Sequence, residues 1–346
     1  MMQERKKRLR EILKEKGLDI ILVYSDSHRT SFGMALNRIT PILFHYYYIT
    51  KDTEGFLEVD YLIEELKLKT KLDIFGIQEQ TPEKDIAKFV NTNYPNIGII
   101  GDAPWTHLKQ VTSKIYDVNK EAQGLLLVKD DYETDKVKAS AKAVSQIMDN
   151  LDSSKWIGKT QIEIKEEVRK KFSKESEGLS FPICITSSSE IKNTTASLPS
   201  CQKIQTRDII AIDAGVIKDG FYSDCTRMYF LNNPEAEENY SKLLRAHIKV
   251  IERIKPGLYL KEIISLYKKE LEKENLPAET LEVQDLGHSI GFYVHENPIF
   301  YLPEHEEVKL VDGMIITLEP EIVLDGYRLR VEDMILVKNK VEVLTK

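Results

Sequence analysis

The first part of the chain alternates between segments of helical and of strand-like hydrophobic spacing. Residues 8–18 (RLREILKEKGL) have the spacing of an amphipathic helix, and Gly17 is a suitable residue to end it. Short apolar runs predict strands at 19–24 (DIILVY), 40–50 (TPILFHYYYIT), 71–77 (KLDIFGI) and 96–100 (NIGII), with a helix at 82–94 (PEKDIAKFVNTNY). This alternation predicts a smaller α/β domain with a mixed or mostly parallel sheet.

A change of pattern near residue 128 marks a predicted domain boundary, because the polar segment LVKDDYETDKVKAS opens a long helix there. Thr160 and Glu163 form a capping box before the next helix, and Pro234 occupies the first position of a third. The helices predicted beyond the boundary are 132–150, 161–175, 234–254 and 260–274. We therefore expect two domains, 1–127 and 128–346.

Two hairpins with Asp-Gly turns lie between and after these helices. Helices and antiparallel hairpins together predict an α+β domain in which helices cover a curved antiparallel sheet. In the first hairpin, Asp219-Gly220 is a strong signal for a two-residue loop. With that loop Asp213 faces Thr226, and Asp224 lies two residues further along, on the same face as Asp213. The two carboxylates are then within reach of one cation.

The second hairpin repeats this design around Asp325-Gly326. Pairing outward from its turn places Leu324 opposite Tyr327 and Glu319 opposite Glu332. Like charges in that position destabilise a sheet, and their burial on an apolar hairpin costs more. A cation between the hairpins would remove this cost. The alternative is that all four acids are exposed strand residues or protect sheet edges.

A histidine between the hairpins strengthens the metal hypothesis. His288 lies in the segment DLGHSIGFYVHENP, and the glycines on both sides of it let the backbone approach a site closely. Four carboxylates and one imidazole form a donor set that suits Mn, Fe, Co or Zn. Two divalent ions that share bridging carboxylates are a hydrolytic device.

Composition narrows the class of protein. The 346 residues are 42% hydrophobic and 30% charged, as in a soluble globular protein, and the net charge of −7 argues against nucleic acid as a partner. No apolar run approaches the ~20 residues that span a bilayer, so we expect no membrane segment. The N-terminus lacks the features of a signal peptide, and three cysteines are too few for a disulfide framework. We expect a cytoplasmic location.

Five motifs make the second domain resemble the pita-bread metallopeptidases, the family of methionine aminopeptidase, Xaa-Pro aminopeptidase and prolidase. The motifs are IDAG, YSDCTR, GHSIGFYVHE, LEPE and LRVED, in the family's order. The resemblance covers about residues 130–340 and implies a pita-bread fold. The first domain more loosely resembles the smaller domain of creatinase and prolidase. The five metal ligands that the resemblance implies are Asp213, Asp224, His288, Glu319 and Glu332.

The resemblance also implies a mechanism, in which a hydroxide that bridges two divalent ions attacks the scissile carbonyl. Glu319 would be both ligand and proton shuttle, and His295 would hydrogen-bond the substrate carbonyl or the tetrahedral intermediate. Arg330 points to the same side as Glu332, so it could anchor Glu332, meet a substrate carboxylate or form a cross-strand salt bridge.

Three positions depart from the family pattern. Ala196 stands where active members usually carry a histidine, and no histidine occurs between His107 and His247. Ser289 and Glu321 replace residues that are usually glycine. A group from the TSSS run (186–189) or from a second subunit could take the place of the missing histidine.

The expected function is therefore that of a dinuclear-metal exopeptidase, closest to Xaa-Pro dipeptidase (prolidase), with a proline-containing peptide or dipeptide as substrate. One alternative is an Xaa-Pro aminopeptidase that acts on longer peptides. The other, which Ala196 motivates, is a weakly active or non-catalytic relative that binds peptides. The resemblance implies a homodimer in each case.

Overall fold

The computed structural model describes residues 1–26, 31–39, 41–187, 190–284, 286–300 and 307–346. The chain divides into two compact units, Met1–Leu126 and Leu127–Lys346. Within the described ranges, no helix combines the length and the apolar character that crossing a membrane requires.

The first unit is built on a mixed six-stranded sheet with the order β4-β3-β2-β1-β5-β6. Its strands are β1 (Ile20–Asp26), β2 (Phe44–Thr50), β3 (Glu54–Val59), β4 (Asp73–Ile77), β5 (Asn96–Ile100) and β6 (Lys114–Asp117). Its helices are α1 (Met2–Lys16), α2 (Ser31–Asn37), α3 (Ile63–Lys69), α4 (Pro82–Val90), α5 (Trp105–Leu108) and α6 (Asn119–Ala122). β1 pairs antiparallel with β2 and parallel with β5, so the sheet changes direction at its centre.

Helices cover both faces of this sheet, which explains why β1 is a continuous apolar run. Ile21 and Val23 pack in the core that contains residues of α1, whereas Ile20 and Leu22 pack in the core that contains residues of α4. α1 stops at Gly17, whose φ of 65° is a left-handed conformation that glycine adopts without strain.

The second unit contains short antiparallel sheets and four long helices. Its helices are α7 (Asp131–Asp149), α8 (Gln161–Phe172), α9 (Pro234–Ile251) and α10 (Leu260–Lys273). Its strands are β7 (Gly178–Leu179), β8 (Cys184–Ser187), β9 (Ile209–Ala214), β10 (Val216–Lys218), β11 (Phe221–Tyr222), β12 (Cys225–Phe230), β13 (Leu281–Glu282), β14 (His288–Ser289), β15 (Glu296–Ile299), β16 (Ile315–Leu318), β17 (Glu321–Leu324), β18 (Tyr327–Arg330), β19 (Asp333–Leu336) and β20 (Glu342–Val343). α7 and α8 share one core with β8, β9 and β12, and α9 and α10 share another with β16, β17 and β18.

The first hairpin has the predicted two-residue loop. Asp219 and Gly220 have φ values of 52° and 77°, and such a pair of positive φ angles matches the twist of the flanking strands. The register that follows pairs Thr226 with Asp213, as predicted from the loop length. The hairpin passes from one sheet to another at Gly215, where a Cβ atom would lie 1.9 Å from the carbonyl oxygen of Ser223.

The second hairpin also has the predicted register. Leu324 pairs with Tyr327 next to the turn, and Leu318 pairs with Asp333 further out. Both pairs belong to one register, which therefore places Glu319 opposite Glu332. These two glutamates lie between the paired segments, where the hairpin passes from one sheet to the next. The acids of both hairpins thus lie at or next to bends in the strands.

The capping box of α8 forms as predicted. The hydroxyl of Thr160 accepts a hydrogen bond from the backbone N–H of Glu163, and the carboxylate of Glu163 accepts one from the N–H of Thr160. The helices α8 and α9 end at Phe172 and Ile251, about three residues before their predicted ends.

We predict that Thr160→Ala lowers the free energy of unfolding by roughly 0.5–2 kcal/mol, because an orphan donor of α8 loses its partner. Urea unfolding followed by the fluorescence of Trp156 measures this, since Trp156 is buried in the same core as α8, whereas Trp105 is 74% exposed. Thr160→Ser keeps the hydroxyl and is the control. Equal destabilisation by alanine and serine would contradict a capping role.

Candidate metal centre

The five predicted ligand residues come together where the two hairpins and β14 meet. Asp213 lies near the end of β9, Asp224 directly precedes β12, and Glu319 and Glu332 lie between paired segments of the second hairpin. All five side chains are buried or nearly so. One ligand atom from each of His288, Glu319 and Glu332 lies within 4.8 Å of the other two, and the same holds for Asp213, Asp224 and Glu332. Glu332 belongs to both groups, so the donors could hold two adjacent ions.

Glycine allows β14 to approach this point closely. Gly287 has a φ of 149°, and a Cβ atom there would lie 2.3 Å from the carbonyl oxygen of Thr317 on β16. The backbone N–H of His288 donates to the hydroxyl of the same Thr317 at 3.0 Å. A larger residue at position 287 would therefore push His288 away from β16 and from the acids.

The carboxylates are short of hydrogen-bond donors. Among the described residues, one buried oxygen each of Asp213 (Oδ1), Asp224 (Oδ1) and Glu332 (Oε1) has no hydrogen-bond partner. Burial raises the pKa of Asp213, and burial together with neighbouring carboxylates raises the pKa values of Asp224 and Glu332 well above their ordinary range. Buried acceptors that lack donors are what a divalent cation would satisfy, so the residues fit a metal site.

The imidazole of His288 is oriented for ligation through Nε2. Its Nδ1 donates to the backbone carbonyl of Ser289 at 3.0 Å, which leaves the lone pair on Nε2. Nε2 lies 3.6 Å from Asp224 Oδ2 and 3.5 Å from Glu319 Oε1. A backbone acceptor thus fixes both the tautomer and the direction of the ring.

Two threonines that the sequence interpretation missed hold the glutamates in place. The hydroxyl of Thr226 donates to Glu332 Oε2 at 2.6 Å, and that of Thr317 donates to Glu319 Oε1 at 3.2 Å. The position of each threonine in the sequence indicated that it lies beside a predicted ligand. Thr226 is the cross-strand partner of Asp213, and Thr317 precedes Glu319 by two residues on the same strand face.

Arg330 contacts acids of both hairpins. Its Nη1 lies 3.2 Å from Glu319 Oε2 and 4.0 Å from Asp213 Oδ2, and its Nε donates to Glu321 Oε2 at 3.0 Å. The sequence left three roles open for Arg330: anchoring Glu332, meeting a substrate carboxylate or forming a cross-strand salt bridge. In the structure Arg330 forms the cross-strand salt bridge, with Glu321 opposite it in the pairing of β17 and β18, and it also donates to the predicted ligand Glu319.

A cavity of about 720 Å³ opens beside the ligands. The residues that line it are Phe181, Pro182, Cys184, Thr194, Ala196, Leu198, Asp213, Asp224, Gln284, Gly287, His288, His295, Ile299, Glu319 and Arg330. The lining thus combines acids, histidines and Arg330 with mostly apolar or small side chains. Ala196, where the resemblance led us to expect a histidine, thus lies on the wall of this cavity.

His295 also faces the cavity. Its ring stands edge-on to that of His288, with 4.5 Å between the ring centroids. Partial burial, with a smaller contribution from His288, lowers the pKa of His295 to about 4, so its imidazole is neutral near pH 7. A neutral ring can donate a hydrogen bond from one nitrogen to a substrate oxygen. His295 also forms a third possible ligand group with Asp224 and His288.

The TSSS run, considered above as a substitute for the missing histidine, is only partly described. Ser187 is buried and accepts a hydrogen bond from Gln161, and the hydroxyl of Thr186 is hydrogen-bonded to that of Ser197. Both hydroxyls therefore have structural partners. Ser188 and Ser189 lie outside the described residues.

The sequence of the second unit matches a known family. Residues 135–339, more than half of the chain, fit the profile of metallopeptidase family M24. The chain belongs to metallopeptidase family M24. This confirms the predicted family and the predicted metallopeptidase class. Divalent metal ions as cofactors and a peptide as substrate follow from the family.

Known relatives of this M24 protein include peptidases of archaea. It is 28% identical over 249 residues to an uncharacterized peptidase of Methanocaldococcus jannaschii, an alignment that covers 69% of this chain and 70% of the relative. It is 32% identical over 151 residues to the Xaa-Pro dipeptidase of Pyrococcus furiosus, and here the alignment covers 42% of each chain. The second similarity thus spans less than half of that relative's length.

Solved structures show the same fold over the whole chain. The Xaa-Pro dipeptidase from Bacillus anthracis matches with a TM-score of 0.86, covers 100% of this chain and 98% of its own, and is 24% identical. An X-Pro aminopeptidase from Thermotoga maritima matches with a TM-score of 0.81 at 21% identity, covering 99% of this chain and 97% of its own. At such identities the likeness shows the fold alone, and it confirms the predicted pita-bread architecture with its smaller N-terminal domain.

We predict that Glu332→Gln changes stability in opposite directions with and without metal. In metal-free protein the change removes one of several converging negative charges, so the melting temperature should stay equal or rise. In wild type, a divalent ion at 100 times its dissociation constant should add about 2.7 kcal/mol of stability, and the variant should lose much of this gain. Thermal unfolding after chelation and after addition of Mn²⁺ measures both effects.

The exposed Glu64→Gln, whose side chain is distant in sequence from the ligands and pairs only locally with Lys67, is the matched control. It should leave the response to Mn²⁺ unchanged. A Glu332→Gln protein that Mn²⁺ stabilises as much as wild type would contradict the assignment of Glu332 as a ligand.

Proposed function

We propose that the chain is a metal-dependent exopeptidase that hydrolyses the bond before proline, with an Xaa-Pro dipeptide as its preferred substrate. The observation that carries the proposal is that two ligand groups share Glu332 beside a cavity of about 720 Å³, with buried carboxylate oxygens that have no hydrogen-bond partner among the described residues. The Xaa-Pro dipeptidases among its relatives support the choice of substrate.

The proposed ligands are Asp213, Asp224, His288, Glu319 and Glu332, and the proposed ions are two divalent cations from the group Mn, Co, Fe and Zn. When bound at such a site, two ions lower the pKa of a water molecule and polarise a carbonyl group. The protein contributes ligand direction, through the hydrogen bonds of Thr226, Thr317 and the Ser289 carbonyl.

We assign the proton transfers to Glu319. Its side chain lies at the cavity wall, and Arg330 and Thr317 each hold one of its two oxygens. A carboxylate fixed in this way can accept a proton from the attacking water and then donate it to the amine that leaves. Arg330 therefore acts through Glu319 as a positioning residue.

We assign stabilisation of the tetrahedral intermediate to His295. Its ring faces the cavity next to His288, and it is neutral near pH 7 because its pKa is lowered to about 4. A neutral imidazole can donate a hydrogen bond to the developing oxyanion, and bound divalent ions would supply the positive charge.

A second candidate is an Xaa-Pro aminopeptidase that acts on longer peptides. The observation that favours it is the size of the cavity, since about 720 Å³ lies in the upper half of the ~300–1,000 Å³ range of ligand pockets. A weakly active or non-catalytic peptide-binding protein is the third, and Ala196 on the cavity wall favours it.

We predict that protein loaded with Mn²⁺ or Co²⁺ releases proline from Xaa-Pro dipeptides and that Glu319→Gln lowers kcat by at least about 100-fold, because the proton carrier is lost. Proline release and metal content per chain are measured on the same preparation. Faster cleavage of Xaa-Pro-Xaa tripeptides would favour the aminopeptidase. Peptide binding without turnover by metal-loaded, folded protein would favour the binding protein.

We also predict that Ala196→His raises kcat/KM, by about 10-fold or more, because it adds a hydrogen-bond donor to the cavity wall. Ala196→Leu is the control, since it adds volume without a donor and should lower or leave unchanged kcat/KM. An equal response to histidine and leucine would mean that position 196 acts through volume alone.

A further inference from the structure

The acid Glu321 has no place in the proposed function, yet it is one of the most buried charged groups of the second unit. It begins β17 and its exposed fraction is 2%. Its cross-strand partner Arg330 donates from Nε to Oε2 at 3.0 Å, and Arg328 donates from Nη1 to Oε1 at 2.7 Å. Each oxygen of this carboxylate is thus paired with a different guanidinium.

A third partner reaches Glu321 from the cavity wall. The hydroxyl of Thr195, which is 1% exposed, donates to Glu321 Oε2. Alternate residues of this wall segment face the cavity, namely Thr194, Ala196 and Leu198. Thr195 and Ser197 between them are held by hydrogen bonds, the latter through its N–H to the hydroxyl of Thr186. Glu321 therefore helps to fix which side chains the wall presents.

Arg330 connects Glu321 to the proposed metal ligands. Its Nη1 lies 3.2 Å from Glu319 Oε2 and 4.0 Å from Asp213 Oδ2, while its Nε is bonded to Glu321. A guanidinium is a planar fork, so fixing Nε fixes the direction in which Nη1 points. Without Glu321, the cation would be drawn toward Glu319 and Asp213 and would compete with metal ions for the same oxygens.

We propose that Glu321 is a positioning residue with two roles. Through Arg330 it sets the geometry of the ligands Glu319 and Asp213, and through Thr195 it holds the segment of the cavity wall that contains Ala196. The inference rests on the proposed function in that it takes Glu319 and Asp213 as metal ligands. Among the described residues, Glu321 belongs neither to the ligand groups nor to the lining of the cavity.

The first experiment compares Glu321→Gln with Arg328→Gln in the full-length protein. Glu321→Gln removes the charge that pairs with both Arg328 and Arg330. Arg328→Gln removes the ion pairs of Arg328 with Glu321 and Glu282 and leaves the bond from Arg330 Nε to Glu321 in place. Calorimetric titration of the metal-free proteins with Mn²⁺ should show affinity about 10- to 100-fold weaker for Glu321→Gln and changed less than about twofold for Arg328→Gln. Crystal structures of both should show the Arg330–Glu319 contact changed only in Glu321→Gln.

The second experiment tests the role of Glu321 in holding the cavity wall. Thr195→Val keeps the shape of the side chain and removes its hydrogen bond to Glu321. We expect KM for an Xaa-Pro dipeptide to rise several-fold with kcat and Mn²⁺ affinity unchanged, and Thr195→Ser to restore KM. This variant also keeps the proposal testable if Glu321→Gln does not fold.

Equal Mn²⁺ affinities for Glu321→Gln and Arg328→Gln would overturn the role of Glu321 in ligand geometry, because ion pairs that are merely structural predict equal effects. An unchanged KM in Thr195→Val would overturn the role of Glu321 in holding the cavity wall. Wild type that binds Mn²⁺ with the expected differences among variants, yet releases no proline, would refute the proposed function and support the role of Glu321 in ligand geometry. Wild type that binds no Mn²⁺ would overturn both.

Discussion

Four carboxyl groups and one imidazole share a small buried volume where two hairpins meet, and the second unit depends on how their charge is balanced. Burial and mutual repulsion raise the pKa values of Asp224 and Glu332, so the metal-free arrangement opposes ionisation of its own ligands. Arg330 supplies one positive charge at Glu319 and Asp213. Within the described part of the chain, one oxygen each of Asp213, Asp224 and Glu332 remains without a donor, and divalent ions are the partners that suit such oxygens.

The register of the two hairpins could be predicted because a two-residue loop fixes the pairing of every residue beyond it. The predicted pairing places Asp213 opposite Thr226 and Glu319 opposite Glu332, and the structure has both registers. For Arg330 the sequence left three roles open, one of which was a cross-strand salt bridge. The same register places Glu321 opposite that arginine, but four other acids lie nearby, and the choice among them is made by strand bends and burial that the pattern does not encode.

Strand β3 is an element that the pattern of hydrophobic residues does not predict. Its sequence EGFLEV contains a glycine and two glutamates, which make a poor strand signal, and no strand was predicted there. The sheet nevertheless buries Glu58 because His45 on β2 pairs with it at 3.3 Å. A polar residue can occupy an interior strand when a tertiary partner satisfies it, and such a partner is visible only once the strands are paired.

We expect the two departures from the family pattern at positions 196 and 321 to affect different properties, the first substrate binding in the cavity and the second the geometry of the ligands. Thr195 connects the two positions. Ala196 faces the cavity, so a change there alters what the cavity can bind and leaves the ligands in place. Glu321 is not among the described residues that line the cavity and reaches Glu319 through the guanidinium of Arg330, so we expect a change there to alter the ligands first. A chain with alanine at position 196 can therefore keep all five proposed ligands. On the proposed assignments, metal affinity and turnover are then separable properties, the first dependent on Glu321 through Arg330 and the second on the cavity wall at position 196.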